Sequence, residues 1–392
     1  MSDVRDLFAL LCRLLATRDG ATQPMSTTWS DPNEVDWTQL VHVANQHLVA
    51  PMLHDAVTRA GIRERLPEDM RHYLADLHAA NGERSQEIHR QISAFLPALN
   101  AAGIEPILLK GTAFIVADRS YGPLRMMADI DYLVPLGSED AAWDAMTNLG
   151  YKPKNDEDSS RSHQLNTLRC DGTVAGVEIH RTVGPQRTIV SVDEAYADSH
   201  LLDLNGAKAR VMSHDHRLMH ALFNGQVQDF HYWFAWAQMR TLLDIRRLGE
   251  QDGPGIDWPM VMTRFEKQGY GGVVEGTVAL LAAWLGTVPP AAVPVTRRAR
   301  AYVARCERHL GPLDRPAVFR RRWLGWGAKN LLPSRVVFQR ELEGYGPLRR
   351  RVMVAIHQIN FLLRMTTWPF RRPAYLKRLL GLPARRRRHS GL

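Results

Sequence analysis

The sequence predicts an α+β protein. A small mixed sheet at 101–205 lies between an N-terminal helical region, 1–100, and a C-terminal helical domain, 206–343, with a basic tail over 344–392. Three observations predict it. Apolar residues recur at three- and four-residue spacing at both ends of the chain, short extended segments cluster in the middle, and the arginine-rich end carries no acidic residue.

The N-terminal helices are read from Leu7, Leu10, Leu11, Leu14 and Leu15, and later from Ile88, Ile92, Phe95, Leu96 and Leu99, with breaks expected at Gly61, Pro67 and Gly82. A helix ending near Gly103 leads into a strand at Ile107 to Leu109. "DIDYLVP" is a second strand, closed by Pro135. "SEDAAWDAMTNLGY" is a short helix with Ser138 as its N-cap and Gly150 as its stop. "SHQLNTLRC" and "TVAGVEIHR" form a hairpin about Asp171 and Gly172. Helices return after Ser213 and run through "FHYWFAWAQMRTLLDIRRLG", where Trp233, Trp236, Arg240 and Leu243 keep helical spacing; further breaks fall at 253–255 and 286–290.

Composition narrows the class. At 392 residues, 45% hydrophobic and 23% charged, the chain is a globular protein of two or three domains. Cys12, Cys170 and Cys306 are too scattered for a disulfide framework or a zinc cluster, so a reducing cytoplasm is the expected setting. The first residues, with Asp3, Arg5 and Asp6 ahead of a leucine-rich stretch interrupted by Arg13, lack the order of a signal peptide. The longest apolar runs, such as "VVEGTVALLAAWLG", are shorter than a membrane span. Of the net charge of +9, all the excess lies at the end: residues 344–392 hold twelve Lys or Arg and no acid, whereas 1–343 hold 38 basic and 41 acidic groups. Three readings stay open for that tail: a solvated end, an interfacial helix on anionic membrane, or a nucleic-acid contact.

The chemistry concentrates in "ILLKGTAFIVADRSYGPLRMMADIDYLVP", residues 107–135. In a strand, residues i and i+2 share a face about 6.6 Å apart, so Asp129 and Asp131 share one while Ile130 points into the core. Two close carboxylates repel unless a cation lies between them, and oxygen-only ligands suit Mg²⁺. In "VEIH", Glu178 and His180 share a face by the same parity; if that strand lies beside the first, Glu178 joins the aspartates. Three carboxylates on adjacent strands would serve two divalent ions in phosphoryl chemistry. Lys110, Gly111 and Thr112 supply the counterpart: a strand end, a close backbone approach, and a cap for a following helix whose free N–H groups favour an anion. Lys110, Arg119 and Arg125 add positive charge for a triphosphate.

"LLKGTA", "RMMADIDYLV" and "VEIHR", in that order, resemble the nucleotidyltransferase fold of the DNA polymerase beta superfamily. In particular they resemble an uncharacterised bacterial nucleotidyltransferase family with an LKG start and a DID core. "LMHALF" and "RTLLDIRRL" resemble that family's helical continuation, so the likeness spans residues 85–290. It implies Asp129, Asp131 and Glu178 as metal ligands, Gly111 with Thr112 as the phosphate-facing turn, Mg²⁺ as the cofactor, an NTP such as ATP as the donor, and an acceptor it does not name. Where the superfamily has Gly-Ser at the turn this chain has Lys-Gly-Thr, and Ala128 precedes the first aspartate. A second reading from another class is a nucleotidyltransferase-like domain that only binds, attached through its basic tail.

Plainer readings stand beside several residues. Arg119 and Arg125 are surface arginines or phosphate ligands; Lys110 is a snorkelling strand end or a phosphate ligand. His180 and His163 are satisfied histidines or functional ones. His214, His216 and His220 are a packed helix start behind Ser213 sooner than a zinc site. Asp244 is a buried partner for an arginine or a wall of an acceptor pocket. Trp233, Phe234 and Trp236 read as core.

Overall fold

The computed structural model describes residues 3–17, 35–154, 163–184, 189–229, 231–250 and 255–310. The expected basic tail, the end of the C-terminal helical domain and the break at 253–254 lie outside the described residues.

In chain order the elements are α1 (Val4–Ala16), α2 (Trp37–Gln46), α3 (Met52–Arg59), α4 (Glu68–Ala101), β1 (Ile107–Leu108), α5 (Lys110–Ala117), β2 (Asp129–Leu133), α6 (Glu139–Asn148), β3 (Lys152–Pro153), β4 (Leu168–Arg169), β5 (Gly176–His180), α7 (Val192–Ala197), β6 (Ser199–Leu204) and β7 (Ala207–Met212). Then come α8 (His214–Leu222), a π-helical turn (Phe223–Gln228), α9 (Met239–Glu250), α10 (Trp258–Lys267), α11 (Gly271–Leu285) and α12 (Arg297–Arg308). The fold is α+β, as expected. The strands form one mixed sheet in the order β3-β4-β5-β2-β1-β7-β6, with β2 parallel to β5, β1 parallel to β7 and the remaining neighbours antiparallel.

Strand parity divides the sheet's two faces between two cores. Ile130, Tyr132, Val177, Ile179 and Val211 pack with Ile88, Ile92, Phe95 and Leu99 of α4 and with Ala142 and Met146 of α6. Leu133 and Met212 belong to the second core, built mostly from α1–α3 and α8–α12. Each fully buried Ile or Leu contributes about 1.5–3 kcal/mol, so a one-residue slip of β2, which would exchange Ile130 for Asp131, is strongly disfavoured. No helix among the described residues is long and apolar enough to cross a membrane.

Four expectations are corrected. Gly82 does not break a helix: it is buried inside the 34-residue α4, where its bare Cα faces Pro123. The sheet runs past residue 205, because β6 and β7 form a hairpin through Asn205 (φ 59°) and Gly206 (φ 86°), and β7 pairs with β1 near the sheet's centre. Ser138 stands at the N-cap of α6 without a side-chain bond to the helix, although Gly150 ends the segment in the left-handed conformation (φ 88°). Trp233 and Trp236 are not on a helix with Arg240; α9 starts only at Met239, and Trp233 is half exposed while Trp236 stacks on His47.

Candidate functional site

β2 and β5 run side by side with Asp131 opposite Glu178 and Leu133 opposite His180. Because Ile130, Tyr132, Val177 and Ile179 turn into the α4 core, Asp131, Glu178 and His180 all emerge on the opposite face. Their ligand atoms lie within 4.8 Å of one another. Lys110 reaches in from the start of α5, with Nζ 2.6 Å from Asp131 Oδ1 and 3.9 Å from Glu178 Oε2. The His180 Nε2–H donates to Asp131 Oδ1 at 2.9 Å, which leaves Nδ1 buried without a partner. Thr167 donates its hydroxyl to Glu178 Oε1 at 3.2 Å.

These neighbours set the charges. Burial pushes the Asp131 carboxyl up, but the Lys110 ammonium and the bond from His180 outweigh it and hold the group well below the usual range. Glu178 goes the other way: burial first, and then the nearby Asp131 charge, raise it to about 7. Burial lowers Lys110, yet its carboxylate partners prevail and raise it, so it stays an ammonium. Burial keeps His180 neutral by lowering it.

The local backbone explains how a short stretch achieves this. Lys110 has a left-handed φ of 46°, which costs about 1–2 kcal/mol in a non-glycine residue and brings it into the first turn of α5 beside β2. Thr112 Oγ1 accepts the Asp131 N–H at 3.0 Å, and the Leu109 N–H donates to Asp131 O at 2.9 Å, so the Asp131 backbone is held from both sides. The loop leading to β2 is anchored on α4. Asn81 donates to Gly122 O and Pro123 O, and Arg84 donates to Met127 O and Val174 O.

The other expected site residues fall in different places. Asp129 is a third exposed at the end of β2, outside the compact group, with Arg169 Nη2 3.3 Å from its Oδ1. Thr112 does not cap a helix; it is fully buried within α5, whose N-cap position is Leu109. Gly111 is approached closely, but by protein: a Cβ there would run into the Arg125 guanidinium and Met127. Arg125 is 7% exposed and makes a two-pronged pair with Asp244, from Nε at 3.0 Å and Nη2 at 2.8 Å, while Tyr121 donates to the same carboxylate at 3.1 Å. Asp244 is thus the buried partner of an arginine. Arg119 is exposed past the C-terminal end of α5, about 12 Å of helix away from Lys110.

His216 lies 3.6 Å from Asp198, whereas His220, one turn on, faces the side of Lys110 and His180, so these histidines do not converge. Sequence reasoning left His180 undecided and did not single out Arg169, Thr167, Arg217 or Arg240 around the site. Strand parity places His180 on the carboxylate face, but its bond to Asp131 needed the β2–β5 register. The two arginines lie on helices whose docking no local pattern specifies.

A mixed sheet with paired acids beside a Lys-Gly-Thr helix start, continued by helices, is the context in which the comparisons read. Residues 33–286 match the model of a family described as uncharacterised nucleotidyltransferase, and the chain belongs to that family. Among solved structures, the chain is similar to an antigenic nucleotidyltransferase-like protein from Paracoccidioides brasiliensis, at 16% identity and a TM-score of 0.36, over 53% of this chain and 96% of that one. No curated protein matches.

Proposed function

We propose that the protein transfers a nucleoside monophosphate from an NTP, ATP first among them, to an acceptor hydroxyl or phosphate, with Mg²⁺ held by Asp131 and Glu178 and with Asp129 completing the acidic face. The observation that carries this reading is the Lys110 ammonium lodged between Asp131 and Glu178. Burial first, and then the neighbouring Asp131 charge, raise Glu178 to about 7; the two carboxylates form a seat for positive charge, and the donor set is mainly oxygen. A divalent cation there would draw charge from the donor's phosphates and steady the departing pyrophosphate.

The chain's own residues have separable tasks. His180 and Thr112 hold Asp131 in place from its side chain and its backbone. Glu178 orients the acceptor hydroxyl or takes its proton as that oxygen bonds to the α-phosphorus and the bond to pyrophosphate breaks. Lys110, at the start of α5, faces the incoming phosphates with the helix's free N–H groups behind it. The test is incubation of the full chain with Mg²⁺ and labelled NTPs, reading pyrophosphate release and labelled acceptor in an extract. Asp131→Asn and Glu178→Gln should each lose most of the signal; turnover equal to wild type in Asp131→Asn sinks the reading.

One observation favours a second reading. The carboxylates already have cationic neighbours, Lys110 on Asp131 and Arg169 on Asp129, which suits a domain that binds a nucleotide without turning it over. Calorimetry decides between them: saturable nucleotide binding with no pyrophosphate under any acceptor supports the binder.

A further inference from the structure

Lys110 also lines a second cavity, whose described lining does not include Asp131, Glu178 or His180. It holds about 80 Å³ between α5, α8, the π-helical turn and α9. Lys110, Arg125, Arg217 and Arg240 line it, and among the described residues Asp244 is the one carboxylate in its wall. Asp244 is committed to Arg125. Among the described lining residues cations therefore outnumber carboxylates.

Arg240 and His220 carry the unmet polar groups. Arg240 spends Nη1 on Met126 O and Nη2 on the Gln238 side chain, both neutral, and its Nε has no partner. Burial first, then repulsion from Arg125, pushes Arg240 down to about 10. Burial likewise pushes Arg217 down to about 10; it is 4% exposed, with its guanidinium 4.5 Å from the Phe114 ring centroid. At the same wall His220, 5% exposed, has a buried Nε2 without a partner, and burial pushes the ring down to about 3, so it is a neutral imidazole able to donate one N–H. Unpartnered buried polar atoms are uncommon, and Arg240 Nε and His220 Nε2 are two of them on residues that line one cavity. Asn224 and Thr241 add neutral polar groups to the lining.

Size limits the ligand. Taking liquid water at about 30 Å³ a molecule, the space suits a few waters or one tetrahedral oxyanion and is too small for a nucleoside. We propose that this cavity is a binding site for one phosphate group, gripped by Arg240 and Arg217 with His220 as a neutral donor. The group comes either from the terminal phosphate of a nucleotide whose remainder extends past Lys110, or from a phosphate that binds independently of nucleotide. The site does not depend on metal at Asp131 and Glu178.

The experiment uses the full chain in EDTA, titrated by calorimetry with inorganic phosphate against chloride at matched ionic strength. Saturable phosphate binding is expected, weakened roughly tenfold or more in Arg240→Gln, as loss of a charge-assisted bond implies. Because Arg240 also holds Met126 O, Ala221→Leu provides a second variant, which fills the cavity and keeps every charge; it should also lose phosphate while melting as a folded protein. Asp131→Asn should keep saturable phosphate binding, no weaker than wild type, even where transfer is lost, so the two readings fail separately. ATP that displaces phosphate, where AMP does not, identifies the nucleotide's terminal phosphate as the source; ATP and phosphate bound together identify an independent one. No saturable phosphate binding by folded wild type, or undiminished binding in both Arg240→Gln and Ala221→Leu, overturns the proposal.

Discussion

At Glu178 the cost of crowding two carboxylates falls on one side chain. Its carboxyl is raised from the ordinary 4.5 to about 7, by burial and then by Asp131. Below pH 4.5 the group is protonated folded or unfolded and costs nothing. Between 4.5 and 7 the unfolded chain has lost the proton and the folded chain keeps it, so stability falls as pH rises; above 7 the full penalty remains, roughly 3 kcal/mol at most. Glu178→Gln removes that penalty, so the variant should match wild type in urea midpoint at pH 4.5 and exceed it at pH 8. Lys110 is the complementary case. Its ammonium occupies the seat that a divalent cation would take, so Lys110→Met should bind Mg²⁺ or Mn²⁺ more tightly in calorimetry even as turnover falls; unchanged or weaker cation affinity would show that the ammonium and the cation do not compete. Strand parity made the shared face of Asp131, Glu178 and His180 legible in the sequence. What parity could not give was the ranking within the face: Asp129 looks equivalent to Asp131 in "DID", yet it stands at the strand's open end beside Arg169 while Asp131 is buried under Lys110 and His180.

Among the elements, α5 and β2 are joined by Thr112, whose hydroxyl accepts the Asp131 N–H in a fully buried setting. Thr112→Val keeps the shape and deletes the acceptor, leaving a buried N–H unpaired at a cost of about 1–3 kcal/mol, whereas Thr112→Ser should cost much less. Denaturant midpoints of the pair should therefore separate, and hydrogen exchange at the Asp131 amide should quicken in Thr112→Val alone. The sequence suggested a helix cap for Thr112 because Ser and Thr near a helix start commonly serve as one; Lys110's left-handed backbone starts the helix two residues earlier and frees the hydroxyl for the neighbouring strand. The β6–β7 hairpin was available to sequence reading through "NG" at 205–206, with alternating "AKARVM" after it. Lys208 and Arg210 interrupt the apolar alternation of β7, and the structure gives Arg210 the Glu105 carboxylate at 2.9 Å. Gly82 misled for a different reason: glycine usually ends a helix, but here tertiary approach of the 122–128 loop outweighs its weak helix propensity of about 1 kcal/mol.

At the scale of the folded domain, the sheet and the C-terminal helices are fastened by one buried group: Arg125 and Tyr121 from the loop before β2, and Asp244 from α9. The sequence offered Asp244 a buried arginine but not which one, since Arg125 lies 119 positions away and no local pattern pairs them. A buried ion pair is weak evidence of net stability, because desolvation offsets most of its attraction, yet removing one partner strands the other's charge. Asp244→Asn should therefore destabilise by about 3–5 kcal/mol, leaving Arg125 with Arg217 and Arg240 as neighbours and, among the described residues, no carboxylate in the cavity wall. Arg125→Met should cost a similar amount. The double variant Arg125→Met with Asp244→Leu restores apolar packing between two neutral side chains, so its loss should be well below the sum of the single losses, with a coupling of several kcal/mol in a denaturation cycle. Additive losses would mean that the pair only fills space. The same cycle measured with saturating phosphate reads the cavity too. Asp244→Asn removes a negative charge from its wall, so the phosphate that should stabilise wild type by mass action should stabilise this variant more.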